Sequence, residues 1–104
     1  MAGEIVTVFR NRVRPQAREE YEPLAARMAE LAEAMPGFVE RKTFTAEDGE
    51  RVTLVTFATP EEQRAWREHP EHRAAQRAGV DRIYSEYRVQ VCVLQDERRF
   101  PRPA

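Results

Sequence analysis

A β-hairpin signal lies at the middle of this 104-residue chain. Asp48-Gly49 joins two segments that are rich in β-branched and aromatic residues, Phe38–Thr45 and residues 51–58. Glycine accepts the positive φ that a tight hairpin turn requires, so the two segments are predicted to pair as antiparallel strands. Before the hairpin, apolar residues recur at spacings of three and four over residues 16–35, which is typical of an amphipathic helix.

Further strand and helix signals lie on both sides of this unit. Residues 4–13 and 83–94 are rich in valine and isoleucine and are predicted as strands. Residues 60–79 are predicted as two helical pieces that follow an N-cap at Thr59 and divide at Pro70. The resulting order, β-α-β-β-α-β, is that of a ferredoxin-like α+β fold, with helices on one face of a four-stranded antiparallel sheet.

Apolar residues occur on both faces of the predicted strands. In the first strand Ile5 and Phe9 alternate with Val6 and Val8, and the third strand alternates in the same way. A second apolar face predicts a symmetric homodimer in which two sheets pack together. Scattered apolar surface on a monomer is the alternative.

The composition excludes several classes of partner. The net charge of −1 offers no excess of positive charge for nucleic acid or an anionic membrane. The single cysteine, Cys92, excludes an internal disulfide and is predicted to be a small buried residue in a reducing cytoplasm. The N-terminus lacks a signal-peptide pattern, so a cytoplasmic protein is expected. Residues 1–95 are predicted to form one domain, and residues 96–104 a polar tail.

The helical segment 60–79 holds the side chains best suited to chemistry, namely the only tryptophan and both histidines. Trp66 is predicted either to stack on a flat ligand or to anchor the core. His72 is a candidate base, because an imidazole titrates near neutral pH. His69 is expected at a helix C-terminus. The proline between the two histidines argues against a shared metal site, so no metal is predicted.

Asn11 is a further candidate, in the first strand. It has the parity of Ile5 and Phe9, so its amide is expected to point into an apolar layer. A buried amide without partners costs about 1–3 kcal/mol, so it requires a protein or ligand partner. A site is therefore predicted in which Asn11, Trp66 and His72 share one pocket.

Three motifs carry a family resemblance: Met35-Pro36-Gly37-Phe38, Thr53-Leu54-Val55-Thr56-Phe57 and Ala65-Trp66…His69-Pro70-Glu71-His72. With the order of elements, they make residues 4–93 resemble the antibiotic biosynthesis monooxygenase (ABM) domain. The resemblance implies a dimeric α+β barrel with a cavity in each subunit between helices and sheet. Members of the family include cofactor-independent oxygenases that convert phenols or quinols to quinones, and small haem-degrading oxygenases.

The haem-degrading members carry an Asn in the first strand and a Trp on the second helix, which are similar to Asn11 and Trp66. Their haem-ligating His falls at the position of Gln76 here, and glutamine is a poor ligand for haem iron. A haem-binding or haem-degrading protein is therefore kept only as a disfavoured alternative, and no cofactor is predicted. A non-enzymatic dimeric ligand-binding domain is the other alternative.

The quinone-forming members carry a Trp near the end of the third strand, where this chain keeps an aromatic residue, Phe57. The favoured hypothesis is a cofactor-independent monooxygenase that acts on a small aromatic or quinol-type substrate. In it, His72 is the base, Asn11 bonds oxygen or substrate, and Trp66 and Phe57 are cavity walls. Two further substrate-binding residues are predicted on the last strand: Tyr84 and Arg88.

Overall fold

A computed structural model describes residues 3–101 and confirms the predicted ferredoxin-like order. The last three residues of the predicted tail lie outside the described residues. The elements are β1 (Ile5–Val13), a 3-10 turn (Pro15–Ala17), α1 (Arg18–Ala34), β2 (Phe38–Thr45), β3 (Arg51–Phe57), α2 (Pro60–Arg67), α3 (Pro70–Ala78), a π-helical turn (Gly79–Ile83) and β4 (Tyr84–Val93). The sheet is antiparallel throughout, with the strand order β2-β3-β1-β4.

Two hydrogen bonds between Thr59 and Glu62 fix the start of the helix at residues 60–67. The Thr59 hydroxyl accepts a hydrogen bond from the Glu62 backbone N–H at 3.2 Å and lies 3.1 Å from the Glu62 carboxylate. This carboxylate packs against Gly37, whose φ of +82° is readily adopted only by glycine. The loop after α1 and the start of α2 are therefore held together at one point.

The break between α2 and α3 is stabilised by a histidine, although not in the way the sequence predicted. His69 is the N-cap of α3, and its Nδ1 accepts a hydrogen bond from the Glu71 backbone N–H at 3.1 Å. The backbone of His69 also ends α2, as predicted, because its N–H donates to the Trp66 carbonyl at 3.2 Å, but the capping of α3 by its side chain was not predicted. The cap stabilises the first turn of α3 and helps to fix the position of the following His72.

The core lies between the helices and one face of the sheet, in two clusters. One contains Ala32, Val55, Phe57 and Trp66, and the other is built around Ile83, which is completely buried. Alternation along β1 places its buried side chains on this helix-covered face, and the register sets Val55 and Phe57 of β3 on the same face, whereas the buried Thr56 lies on the opposite one.

The opposite, open face of the sheet carries the other half of each alternating pattern. Val6, Val8 and Leu54 are half-buried there, and Phe44 is 49% exposed. Cys92 pairs with Val6 and is exposed, so the expectation that it is buried is wrong. The reason is that β4 is an edge strand whose open-face residues meet no second layer of this chain.

Within residues 3–101, none of the helices combines the length and apolar character needed to cross a lipid bilayer.

Candidate functional site

A cavity of about 780 Å³ lies between the helices and the sheet. Thr7, Phe9 and Val55 form part of its sheet side, and Met28 of α1 lies among its other walls. Its mouth is marked by lining residues that are about half exposed: Val80, Tyr87 and Val89. The cavity has the size and the largely apolar character of small-molecule sites in proteins.

One wall of the cavity is an aromatic stack. The Trp66 and His72 rings lie 4.5 Å apart between centroids at an interplanar angle of 57°, and both residues line the cavity. Trp66 also packs on Phe57, with ring centroids 5.2 Å apart. The short turn between α2 and α3 folds α3 back toward α2. This turn brings the imidazole of His72 on α3 against the indole of Trp66 on α2.

Two buried ring nitrogens in this stack lack partners in the described part of the chain, Trp66 Nε1 and His72 Nδ1. A buried polar group without a hydrogen bond costs about 1–3 kcal/mol. Since both residues line the cavity, a ligand or water inside it could supply the missing partners. The stack is therefore a polar as well as an aromatic recognition surface.

Burial changes the titration of two lining residues. It lowers the pKa of His72, an effect that a hydrogen bond with the Arg67 backbone opposes, so the imidazole is neutral near pH 7 and able to accept a proton. Burial also raises the pKa of Tyr84 to about 12, so its hydroxyl stays protonated and can donate a hydrogen bond.

A buried polar pair faces the same cavity and was missed by the sequence analysis. Gln63 Nε2 donates to Thr7 Oγ1 at 3.2 Å, both side chains are at least 95% buried, and both residues line the cavity. The sequence indicated that each of the two side chains faces the core, but not that they meet. Thr7 shares the parity of Ile5 and Phe9 on β1, and Gln63 lies one turn before Trp66 on α2.

The family model described as antibiotic biosynthesis monooxygenase matches residues 4–78, which is well over half of the chain. The chain belongs to the ABM family. The assignment predicted from the three sequence motifs is therefore confirmed.

Relatives of this ABM chain agree with the fold. YqjZ of Bacillus subtilis (strain 168) is 32% identical over 80 residues, covering 77% of this chain and 70% of that protein. Rv0793 from Mycobacterium tuberculosis superposes with a TM-score of 0.80 at 20% identity, over 91% of this chain and 98% of that one. SnoaB from Streptomyces nogalater, a cofactor-independent oxygenase, superposes with a TM-score of 0.74 at 20% identity, over 97% and 100% of the two chains.

The structure brings three of the predicted site residues together. Trp66, His72 and Tyr84 all line the ABM cavity. Phe57 does not line it: it is completely buried behind Trp66 and also packs edge-on against Phe38. The prediction that Phe57 is a cavity wall is therefore wrong, because it is a core residue that supports the wall from behind.

Two other predicted residues lie elsewhere in the ABM fold. Asn11 is 99% buried on the helix-covered face, as its parity predicted, but it does not line the cavity, and its Oδ1 lacks a partner among the described residues. The predicted shared pocket of Asn11, Trp66 and His72 is therefore wrong for Asn11. Arg88 pairs with Arg10 and thus lies on the open face, because the strand register places Tyr87 and not Arg88 toward the helices.

The residues present do not fit the arrangement of the haem-degrading members. Gln76, which takes the place of their haem-ligating His, lines the cavity, whereas Asn11 lies outside it. Residues 3–101 also contain no group of three or more His, Cys, Asp or Glu side chains placed to hold a metal ion.

Proposed function

We propose that this ABM-family protein is a cofactor-independent monooxygenase that acts on a small, electron-rich aromatic of the phenol or quinol type. The observation that carries the proposal is a half-buried, neutral His72 packed against Trp66 on the wall of an aromatic-lined cavity. The likeness to SnoaB, a cofactor-independent oxygenase, supports the same reaction class.

The reaction needs a base and a dry, polar-lined pocket. His72 accepts the phenolic proton, and the resulting electron-rich ring donates an electron pair to O₂, forming a carbon–oxygen bond and a ring peroxide. Cleavage of the O–O bond, with loss of the proton from the same carbon, leaves one oxygen on the quinone and releases the other as water. The substrate supplies all four electrons that reduce O₂, one pair as the carbon–oxygen bond forms and one pair as the O–O bond breaks, so the sum is a phenol plus O₂ giving a quinone plus water.

Hydrogen-bond donors on the cavity wall stabilise the oxygen atoms that gain charge. The Tyr84 hydroxyl remains protonated, and the Thr7 hydroxyl, which accepts from Gln63, keeps its own hydrogen free to donate. Because Asn11 lies outside the cavity, the proposal moves the oxygen-bonding role predicted for it to Thr7 and Gln63.

Oxygen uptake with a panel of anthrones and hydroxynaphthoquinols tests the proposal. His72→Gln should lower kcat/KM by about 10²–10⁴-fold, the usual contribution of a general base. His69→Asn is the matched control, because the other histidine does not line the cavity and asparagine can still cap α3, so this variant should retain the wild-type rate. With ¹⁸O₂, one labelled atom should enter the quinone and one should enter water.

Several outcomes contradict the proposal. Equal rates for wild type and His72→Gln would remove His72 as the base. Stoichiometric release of hydrogen peroxide would show an oxidase instead of a monooxygenase. Tight binding of these aromatics without oxygen uptake would leave a non-enzymatic ligand-binding domain. A Soret shift on titration with haemin that disappears in His72→Ala would favour the haem alternative.

We also propose that two copies pack their open sheet faces together as a homodimer. The support is the row of half-buried Val6, Val8 and Leu54 beside the 49%-exposed Phe44 on a face that no helix covers. Sedimentation should give a dimer that Val8→Lys/Leu54→Lys converts to a monomer. Val80→Lys, which changes an exposed valine at the cavity mouth, should leave it dimeric. A monomeric wild type would refute the dimer.

A further inference from the structure

The described arginines differ in whether they form ion pairs, and those without an ion pair lie either at the cavity or elsewhere on the surface. Seven arginines form ion pairs with carboxylates of the described residues, and none of these seven lines the cavity. They are Arg10, Arg12, Arg27, Arg51, Arg82, Arg98 and Arg99. Four other arginines line the cavity and have no ion pair within residues 3–101: Arg41, Arg67, Arg73 and Arg77.

These four arginines lie at the rim of the cavity. Arg73 and Arg77 are one turn apart on α3, and each directly follows a lining residue, His72 or Gln76. All four rim arginines are exposed, and Arg41 contributes to the rim from β2.

The cavity is therefore locally cationic in a chain that is weakly acidic. Its lining carries four guanidinium groups against a single carboxylate, that of Asp81, whereas the net charge of the whole chain is −1. A planar guanidinium without a protein partner can donate two parallel N–H hydrogen bonds to the two oxygens of a ligand carboxylate.

We propose that the substrate is an aromatic carboxylate, with its ring against Trp66 and its carboxylate held at the rim by Arg73 and Arg77. The inference rests on the proposed function and names the substrate class of the same site. A largely apolar cavity with a few charged groups at one side fixes the orientation of a ligand that has one apolar and one anionic end. The rim then holds the anion while the ring reaches the neutral His72.

A pair of ligands that differ only in the carboxylate tests this inference. Calorimetry should show that 6-hydroxy-2-naphthoate binds wild type about tenfold more tightly than 2-naphthol, since exposed ion pairs each contribute modestly. Quenching of Trp66, the only tryptophan, gives an independent measure of both affinities. In Arg73→Gln/Arg77→Gln the preference should fall to about twofold or less, with the affinity for 2-naphthol unchanged.

Arg18→Gln/Arg64→Gln is the matched control. It removes the same two charges from exposed arginines that neither line the cavity nor form ion pairs among the described residues, and it should retain the preference. An equal loss in the control would show a general charge effect and overturn the proposal.

Other results would overturn the proposal in distinct ways. Equal affinity of wild type for 6-hydroxy-2-naphthoate and 2-naphthol would remove the anion site. Arginine-dependent binding of 2-naphthyl phosphate that is tighter than that of the carboxylate would show a phosphate site instead. Oxidation of 2-naphthol and the anthrones without any carboxylate preference would contradict this inference alone. Arginine-dependent carboxylate binding without oxygen uptake on any substrate would contradict only the proposed function.

Discussion

The contact between Gly37 and Glu62 couples the loop after α1 to the start of α2. A Cβ added at Gly37 would meet the carboxylate of Glu62, whereas one added at Gly49 would meet nothing closer than Arg12 Nη1 at 3.9 Å. Both glycines have positive φ, +82° and +91°. Substitution by alanine therefore strains the backbone at both positions but displaces a neighbour at only one.

The two effects have different magnitudes. A left-handed alanine costs about 1–2 kcal/mol at either position. Gly37→Ala must also move the Glu62 carboxylate away from Thr59. This movement breaks the hydrogen bond that the Thr59 hydroxyl donates to the carboxylate, at a further cost of about 0.5–1.5 kcal/mol. We expect Gly37→Ala to lower the free energy of unfolding by about 1.5–3.5 kcal/mol, and Gly49→Ala by about 1–2 kcal/mol.

Urea unfolding of a double-mutant cycle isolates the second effect. In a Glu62→Ala background, where the carboxylate is absent, Gly37→Ala should cost no more than Gly49→Ala. The coupling between the Gly37 and Glu62 substitutions should then be about 0.5–1.5 kcal/mol, a size expected for residues in contact. A coupling near zero would refute the idea that Glu62 is held against Gly37.

Three further predictions concern the cavity and its support. Phe57→Leu should lower the free energy of unfolding by about 1–3 kcal/mol in urea, because it removes two aromatic contacts from a completely buried site. Thr7→Val should cost about 1–3 kcal/mol because it leaves the buried Gln63 amide unpaired, and Thr7→Val/Gln63→Leu should cost less than the sum of the single changes. Burial lowers the pKa of His72 below 6.5, so the unfolded chain binds its proton first as the pH falls. The free energy of unfolding should therefore decrease from pH 6.5 down to the folded-state pKa, and His72→Gln should show a smaller decrease; an unchanged pH dependence would contradict the burial of this imidazole.

The strands and their turns were predictable because the signals for them are local. Residues 38–45 were predicted as a strand with the bounds that the structure has, and Thr59 is the N-cap that its sequence context indicated. The capping role of the His69 side chain was not predicted, because a residue that follows one helix can also cap the next. The short turn between the helices, and not the residue type, decides between these roles.

The sequence could predict that two residues share the site only where they lie close together in the chain. Trp66 and His72 share one hinged segment, so their joint appearance on the cavity wall followed from nearby positions in the chain. Phe57 could be recognised as inward-facing, but whether it meets the cavity or lies behind Trp66 depends on what the helices place over it. The face on which Arg88 lies depends on the register of β4 against β1.

The amino-acid sequence alone determined the order of elements, the ABM family and the aromatic–imidazole segment, because periodicity, turn residues and motifs act over short stretches of chain. Only the tertiary structure decided which side chains share the cavity. It places Gln63 in a hydrogen bond with Thr7, 56 positions away in the chain, and leaves Asn11 outside the cavity. It also brings four arginines without ion pairs, from β2, α2 and α3, to one rim of the cavity. These relations depend on sheet register and helix packing, which no single stretch of sequence specifies.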